Sequence, residues 1–230
     1  MMASKEEVKL CWRQAEAVCF DVDSTVIVDE GIDELAAFCG VAEKVKELTK
    51  QAMSGSMTFR EALTKRLNII QPSQQKLTEF INKHPPKLSR GVKELIALLG
   101  KMDKKVFLVS GGFRSLIGPV AEILSIPSDH VFANRFLFNE DGSYAGFDKE
   151  EPTSESGGKP RALQLIKEKY GFSRMVMIGD GATDMEACPP ANAFIGYGGN
   201  VVREKVKQAA FWYVMDFKDL IDELSNNPES

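Results

Sequence analysis

The chain has 230 residues, 43% of them hydrophobic and 27% charged, and 33 acidic against 29 basic side chains leave a formal charge of −4. That apolar content can offset the entropy of ordering the backbone, which excludes a disordered chain. The acidic balance offers no basic footprint for nucleic acid, and no apolar run approaches the roughly 20 residues of a membrane-spanning helix.

At about 100–200 residues per domain, the length fits a core with an insertion better than two independent domains. The opening MMASKEEVKL lacks a basic start followed by an apolar stretch, so neither export nor anchoring is expected. Cys11, Cys19, Cys39 and Cys188 show no CxxC spacing and are too sparse for a disulfide framework. Reduced thiols in the cytoplasm are the expectation, with a processed organellar form left open.

After an amphipathic segment over Glu6–Ala15, Ala17–Val18–Cys19–Phe20 is apolar at successive positions and stops at Asp21. Such a run predicts a buried strand of a parallel sheet. From Glu30 to Leu88 the period becomes helical, in Ile32/Leu35/Ala36, Val41/Val45/Leu48 and Phe59/Leu63/Leu67, and His84–Pro85–Pro86 ends it. A second buried strand, Val106–Val109, leads into Ser110–Gly111–Gly112. Two aromatic-rich runs, Phe132–Phe138 and Tyr144–Phe147, flank Asp141–Gly142 and predict a β-hairpin. Helical spacing of Leu163, Ile166 and Tyr170 precedes a third strand, Met175–Ile178, which ends at Gly179–Asp180–Gly181.

Strands alternating with helices predict an α/β fold, a Rossmann-like parallel-sheet core of residues 1–29 and 89–230. Residues 30–88 form an inserted helical cap domain, and the hairpin is a small excursion. Ligands of open α/β sheets bind outside the carboxyl ends of the strands, so the three polar strand ends should converge on one site.

Asp21 and Asp23 follow the first strand directly. A carboxylate at the end of an apolar strand is costly unless a metal or cation meets it, and a second one nearby raises one of the two pKa values. One can then act as nucleophile or metal ligand and the other as general acid; for the pair alone, an ordinary strand-to-loop turn capping a helix is an equal alternative. Gly179–Asp180–Gly181–Ala182–Thr183–Asp184 adds two carboxylates of the oxygen-donor type that Mg²⁺ prefers, although a helix N-cap would also explain it. Ser110–Gly111–Gly112 offers a hydroxyl and free amides to a phosphate at the start of a predicted helix. In Ser156–Gly157–Gly158–Lys159–Pro160, the proline suits a helix start, and the lysine opposes the helix dipole unless an anion is bound beside it.

The order DxDST, SGG, GGK, GDGATD resembles the haloacid dehalogenase-like phosphatase superfamily. Glu30–Ala36, Phe59–Leu63 and Gly181–Ala187 extend the resemblance along essentially the whole chain to the eukaryotic branch whose members hydrolyse O-phosphoserine. The resemblance implies an aspartyl-phosphate on Asp21, with Asp23 as general acid and base. Mg²⁺ would be held by Asp21, the main-chain carbonyl of Asp23 and Asp180, with Asp184 supporting them. Ser110, Gly111 and Lys159 would bind the phosphoryl oxygens, and Gly112 and Thr183 would help orient substrate. In the cap, Glu30 would meet the substrate's ammonium group and Arg66 its carboxylate. Met53 and Phe59 would wall out water, and Ser54 stands where the branch commonly has glycine.

The implied reaction is the last step of serine biosynthesis, on a small-molecule partner without nucleic acid or membrane; a homodimer is compatible with the sequence. A phosphotransferase or phosphomutase using the same aspartyl-phosphate is the nearest alternative, and a catalytically silent phosphate-binding protein is the other. Asn134 and Arg203 lie in family-like stretches, FANR and GGNVVR, without an assigned role. His84 and His130 lie outside the motifs and lend no support to a histidine-based phosphatase.

Overall fold

The computed structural model describes residues 4–51 and 57–226. It opens with α1 (Lys5–Arg13), where the Ser4 hydroxyl accepts from the Glu7 amide and the Glu7 carboxylate from the Ser4 amide, so two free donors of the first turn are satisfied. β1 (Ala17–Phe20) follows, buried throughout. Four helices come next: α2 (Gly31–Phe38), α3 (Ala42–Gln51), α4 (Phe59–Ile70) and α5 (Gln74–Lys83). Thr58 and Ser73 cap the last two by accepting from the Glu61 and Lys76 amides.

The α/β pattern resumes with α6 (Val92–Lys101), β2 (Lys105–Phe113), α7 (Arg114–Ile123) and β3 (Val131–Asn134). The hairpin strands β4 (Phe136–Phe138) and β5 (Tyr144–Phe147) lead to α8 (Gly158–Tyr170), β6 (Met175–Gly179) and α9 (Ala182–Met185). β7 (Ala193–Tyr197), α10 (Glu204–Ala209), β8 (Tyr213–Val214) and α11 (Lys218–Ser225) complete the order.

Six strands form one parallel sheet in the order β3-β2-β1-β6-β7-β8. The chain winds outward from β1 to β3 and then restarts on the other side at β6, so the switch point lies between β1 and β6, where sheets of this kind open a crevice. Alternate residues of β1 serve two cores. Val18 and Phe20 pack with Trp12 and Phe217 on one face, and Ala17 and Cys19 with Phe107, Leu163 and Met177 on the other.

A third apolar cluster holds the inserted helices together through Leu35, Leu63, Leu67 and Phe80. It also takes in Phe113 from the end of β2 and Phe147 from the hairpin, and the Phe113 and Phe136 rings stack at 3.8 Å. The hairpin therefore helps seat the insertion on the sheet. Two linkers join them side by side: the Val28 amide donates to the Lys87 carbonyl and the Ser89 amide to the Val26 carbonyl, each at 2.9 Å, around an antiparallel Ile27–Leu88 pair.

Three local details differ from the sequence reading. The aromatic run Phe132–Phe138 is two strands rather than one: the buried Ala133 and Asn134 commit its first half to the main sheet beside β2, and only Phe136–Phe138 enters the hairpin. The Ser110–Gly111–Gly112 segment is not at a helix start. It lies inside β2, where the register with β3 shifts between Val109 and Phe113, and such a bulge lifts the segment out of regular pairing. Pro160 occupies the third rather than the first position of α8. Among the described residues no helix is long and apolar enough to cross a membrane.

Candidate active site

β1 delivers Asp21 to the switch point, and the next residues turn back sharply. Asp21 and Asp23 keep extended backbones, φ −64°, ψ 157° and φ −62°, ψ 134°, whereas Ser24 adopts a left-handed φ of 55°. The Asn200 side-chain amide fastens this turn, donating to the Ser24 carbonyl at 3.1 Å and to the Ser89 hydroxyl at 2.6 Å. Both carboxylates consequently line one pocket.

Lys159, in the first turn of α8, places Nζ 2.7 Å from Asp21 Oδ1 and also pairs with Asp184 Oδ1. The other Asp184 oxygen accepts from the Gly181 amide at 2.9 Å, and Asp184 is fully buried. Burial opposes the charge on Lys159, but Asp184 and Asp21 outweigh it and raise its pKa, so the ammonium persists. Burial and the neighbouring Asp184 carboxylate push Asp21 well above the usual carboxylate range despite Lys159. Burial likewise raises Asp184 against the pull of Lys159.

Asp180, at the end of β6, accepts from Thr25 Oγ1 at 3.3 Å and from Arg203 Nε at 2.6 Å. Arg203 also lies 3.6 Å from Glu30, which accepts from the Ser24 hydroxyl at 2.8 Å. Burial, and then the Asp23 charge, raise the Glu30 pKa.

Asp23 faces the insertion. Its Oδ1 accepts from the Gly31 amide at 2.7 Å and its Oδ2 from the Ser110 hydroxyl at 3.4 Å. Burial raises its pKa while the Gly31 amide resists the shift, a balance suited to a group that holds a proton and then gives it up. The Ser110 oxygen accepts from the Gly112 amide at 2.8 Å, and buried Asn134 donates to the Gly111 carbonyl at 2.8 Å. A Cβ on Gly111 would lie 2.9 Å from Phe59 Cζ, so only a residue without a side chain lets the Phe59 ring of α4 come this close.

The pocket has a volume of about 860 Å³ and gathers every sequence-predicted site residue within the described part of the chain. Arg66 reaches it from α4 with a buried Nε that has no hydrogen-bond partner among the described residues. Burial lowers its pKa, and the Asp33, Glu30 and Asp23 carboxylates oppose that shift. An orphaned cationic donor on a pocket wall calls for an incoming acceptor. Met53 and Ser54 lie outside the described residues.

Sequence reasoning gave no role to Arg203 and Asn134 and overlooked Thr25 and Asn200. The FANR and GGNVVR stretches were the available signal, but each of these side chains acts across the fold on a backbone or carboxylate that the sequence does not place beside it.

The donor set fits a divalent cation. One oxygen each from Asp21, Asp180 and Asp184 lies within 4.8 Å of the others. Among the described residues, Asp21, Asp23, Asp180 and Asp184 meet only Lys159 and Arg203 as cations in direct contact with them, which leaves the negative charge that one such ion would balance. Hard oxygen donors suit Mg²⁺.

A parallel sheet carrying two acidic motifs and a lysine at its switch point defines the haloacid dehalogenase-like hydrolases, and that family's model matches residues 15–192. A phosphoserine phosphatase of Bos taurus is 55% identical over 223 residues, covering 97% of this chain and 99% of its own. The phosphoserine phosphatase of Homo sapiens is 54% identical with the same coverage. A solved structure described as a phospho-aspartyl intermediate analogue of phosphoserine phosphatase superposes with a TM-score of 0.77 at 29% identity, covering 90% of this chain and 98% of that one. Within the hydrolase class, this chain belongs to the phosphoserine phosphatase family.

Proposed function

We propose that this chain hydrolyses O-phospho-L-serine to L-serine and inorganic phosphate, as the last step of serine biosynthesis in the cytoplasm, with Mg²⁺ as its metal. The observation that carries the reading is the Asp21–Lys159–Asp184 arrangement at the end of β1, a buried nucleophile 2.7 Å from a cation that can also meet a phosphoryl oxygen.

An Asp21 carboxylate oxygen attacks phosphorus as the bond to the serine oxygen breaks, and Asp23 gives that oxygen its proton. Asp23 then takes a proton from the water that attacks the aspartyl-phosphate, releasing phosphate and restoring Asp21. Ser110, Gly111 and Lys159 receive the phosphoryl oxygens, where preorganised donors count most, and Gly112, whose amide holds the Ser110 oxygen at 2.8 Å, helps orient the substrate. Asp21, the Asp23 carbonyl and Asp180 would hold the metal, with Asp184 behind them; when bound, it neutralises the repulsion between the Asp21 carboxylate and a phosphate dianion.

The cap, residues 30–88, reads the rest of the substrate. Glu30 meets the ammonium, Arg66, whose Nε has no hydrogen-bond partner among the described residues, grips the carboxylate, and Phe59 screens the reacting atoms from water. In the reading drawn from the sequence Met53 completes this wall, and Ser54 joins the substrate-binding residues where relatives commonly have glycine.

A phosphate-release panel of small phosphomonoesters, with and without chelator and with Asp21→Asn, tests the proposal. Phosphoserine should be strongly preferred, and activity should vanish on chelation and in the variant. Equal rates on phosphothreonine and sugar phosphates would remove the substrate assignment; activity surviving both treatments would remove the mechanism.

A further inference from the structure

Arg60 follows Phe59 in the first turn of α4, the helix that also carries Arg66, yet it does not line the pocket. Its side chain reaches instead to the segment that leads into α8. Nη2 donates to the Ser154 hydroxyl at 2.8 Å and to the Lys149 carbonyl at 3.1 Å, Nε donates to the Ser154 carbonyl at 3.4 Å, and Glu155 Oε2 lies 3.0 Å from Nη2. Ser154 is fully buried, and its hydroxyl donates in turn to the Lys149 carbonyl at 3.0 Å. A lone surface ion pair contributes little. Here three of the four acceptors are uncharged oxygens, held in places that a planar guanidinium can span and an ammonium cannot.

The gripped segment is tied to both sides of the proposed phosphate site. Towards Lys159, the second Glu155 oxygen pairs with Arg161, Arg161 Nη2 donates to the Pro152 carbonyl at 2.7 Å, and the Gly158 amide donates to the Glu155 carbonyl at 3.1 Å. Lys159 stands between those two anchored residues of α8. Towards β2, Thr153 Oγ1 donates to Asn134 Oδ1 at 3.0 Å, and Asn134 donates to the Gly111 carbonyl at 2.8 Å. Phe59 packs against that same glycine. The contacts therefore close on themselves, from Arg60 through Ser154, Thr153, Asn134 and Gly111 to Phe59, and each member is held from two sides.

We infer that Arg60 is a positioning residue: by fixing the 149–155 segment to α4, it holds Lys159 and Gly111 in the geometry that receives the phosphoryl group. The inference rests on the hydrolase reading of the site. What Arg60 holds is the phosphate end, so its loss should fall on every phosphomonoester alike.

Arg60→Ala should lower kcat/KM for phosphoserine about tenfold, the scale of a small misplacement near a reacting centre. Phosphoethanolamine, which lacks the carboxylate, should lose the same factor. Inorganic phosphate, titrated by calorimetry in the presence of Mg²⁺, should bind more weakly in parallel. Arg60→Lys keeps a charge for Glu155 but not the fork, and should recover less than half of the loss on a logarithmic scale. Ser154→Ala, a smaller change that carries the test even where Arg60→Ala does not fold, should show a lesser loss of the same kind and add little to Arg60→Ala.

A folded Arg60→Ala with a lower Tm but unchanged kcat/KM and phosphate affinity would make Arg60 a strut and overturn the inference. A loss confined to phosphoserine, full recovery with lysine, or additive losses in the double variant would overturn it as well. Wild-type protein that neither hydrolyses phosphoserine nor binds phosphate would remove the hydrolase reading and the inference with it, whereas an active wild type beside an unaffected variant removes the inference alone.

Discussion

The Gly31 amide donates to Asp23 Oδ1 at 2.7 Å, so the first helical residue of the cap holds the proposed general acid of the core. Cap position and acid position are thereby one variable. Gly31→Pro tests this. Proline suits the first helical position, and Glu30 before it already has an extended backbone, φ −101°, ψ 107°, which a following proline requires. The variant loses the N–H and sets ring carbons against Asp23. Far-UV circular dichroism should be unchanged while kcat falls about tenfold or more, the worth of one hydrogen bond to a charged group. An unchanged kcat would mean that the bond does not position Asp23.

Phe59 packs against Gly111, in the proposed phosphate cradle, leaving no room there for a side chain. With Cβ 2.9 Å from Phe59 Cζ, Gly111→Ala displaces the ring by a few tenths of an ångström rather than unfolding β2. Activity should fall about tenfold, the scale of a small misplacement at a reacting centre, with little change in Tm. Phe59→Leu should lower activity alone yet cost much less when added to Gly111→Ala, since the clash is then absent. Additive losses in the double variant would place the effect of Gly111 in its own amide instead.

Lys159 is the cation on which two buried carboxylates depend. Lys159→Met in metal-free protein should lose about 3–5 kcal/mol of stability at neutral pH, the usual penalty for leaving buried charge unpaired, as read by urea unfolding. The pH dependence follows from Asp21 and Asp184, which burial already raises and which rise further without the lysine. Groups with raised folded-state pKa values keep their stability at low pH and lose it as pH climbs through those values. The deficit should therefore be larger at pH 8 than at pH 5, and a deficit independent of pH would show that Lys159 matters through packing alone.

Four consecutive apolar residues ending at Asp21, and the similar runs before Ser110 and Gly179, made the central strands legible, because strands buried on both faces leave a continuous signal. β7 and β8 left none: Ala193–Tyr197 contains alanine and glycine among its buried residues, and two residues of β8 are too few for a pattern. Asp21, Asp23, Asp180 and Asp184 stood out because two acidic pairs follow two buried strands in one chain, whereas either pair alone reads equally well as a turn or a helix cap. Arg203 did not, because an arginine before a short helix reads as a solvated charge until Asp180 is found 2.6 Å away. The Ser110–Gly112 segment was legible in its residues but not in its conformation, for the bulge there depends on the register of β3, and Asn134, which donates to the Gly111 carbonyl, is 23 positions distant.

Arg66 is the sharpest test of the proposed role of the cap in substrate choice. Its buried Nε lacks a partner among the described residues, and the nearby acids that favour its charge, Asp33, Glu30 and Asp23, make no hydrogen bond to that atom. A substrate carboxylate supplies two acceptors in the geometry a guanidinium matches. Arg66→Ala should lower kcat/KM for phosphoserine about 10–100-fold, as expected for loss of hydrogen bonds between charged groups. Phosphoethanolamine, which has the phosphate and the ammonium but no carboxylate, should lose little. Arg66→Lys keeps the charge without the fork and should fall between the two on phosphoserine. Equal losses on both substrates would make Arg66 a support for the cap rather than a reader of the substrate, and the preference for an amino acid would then rest on Glu30.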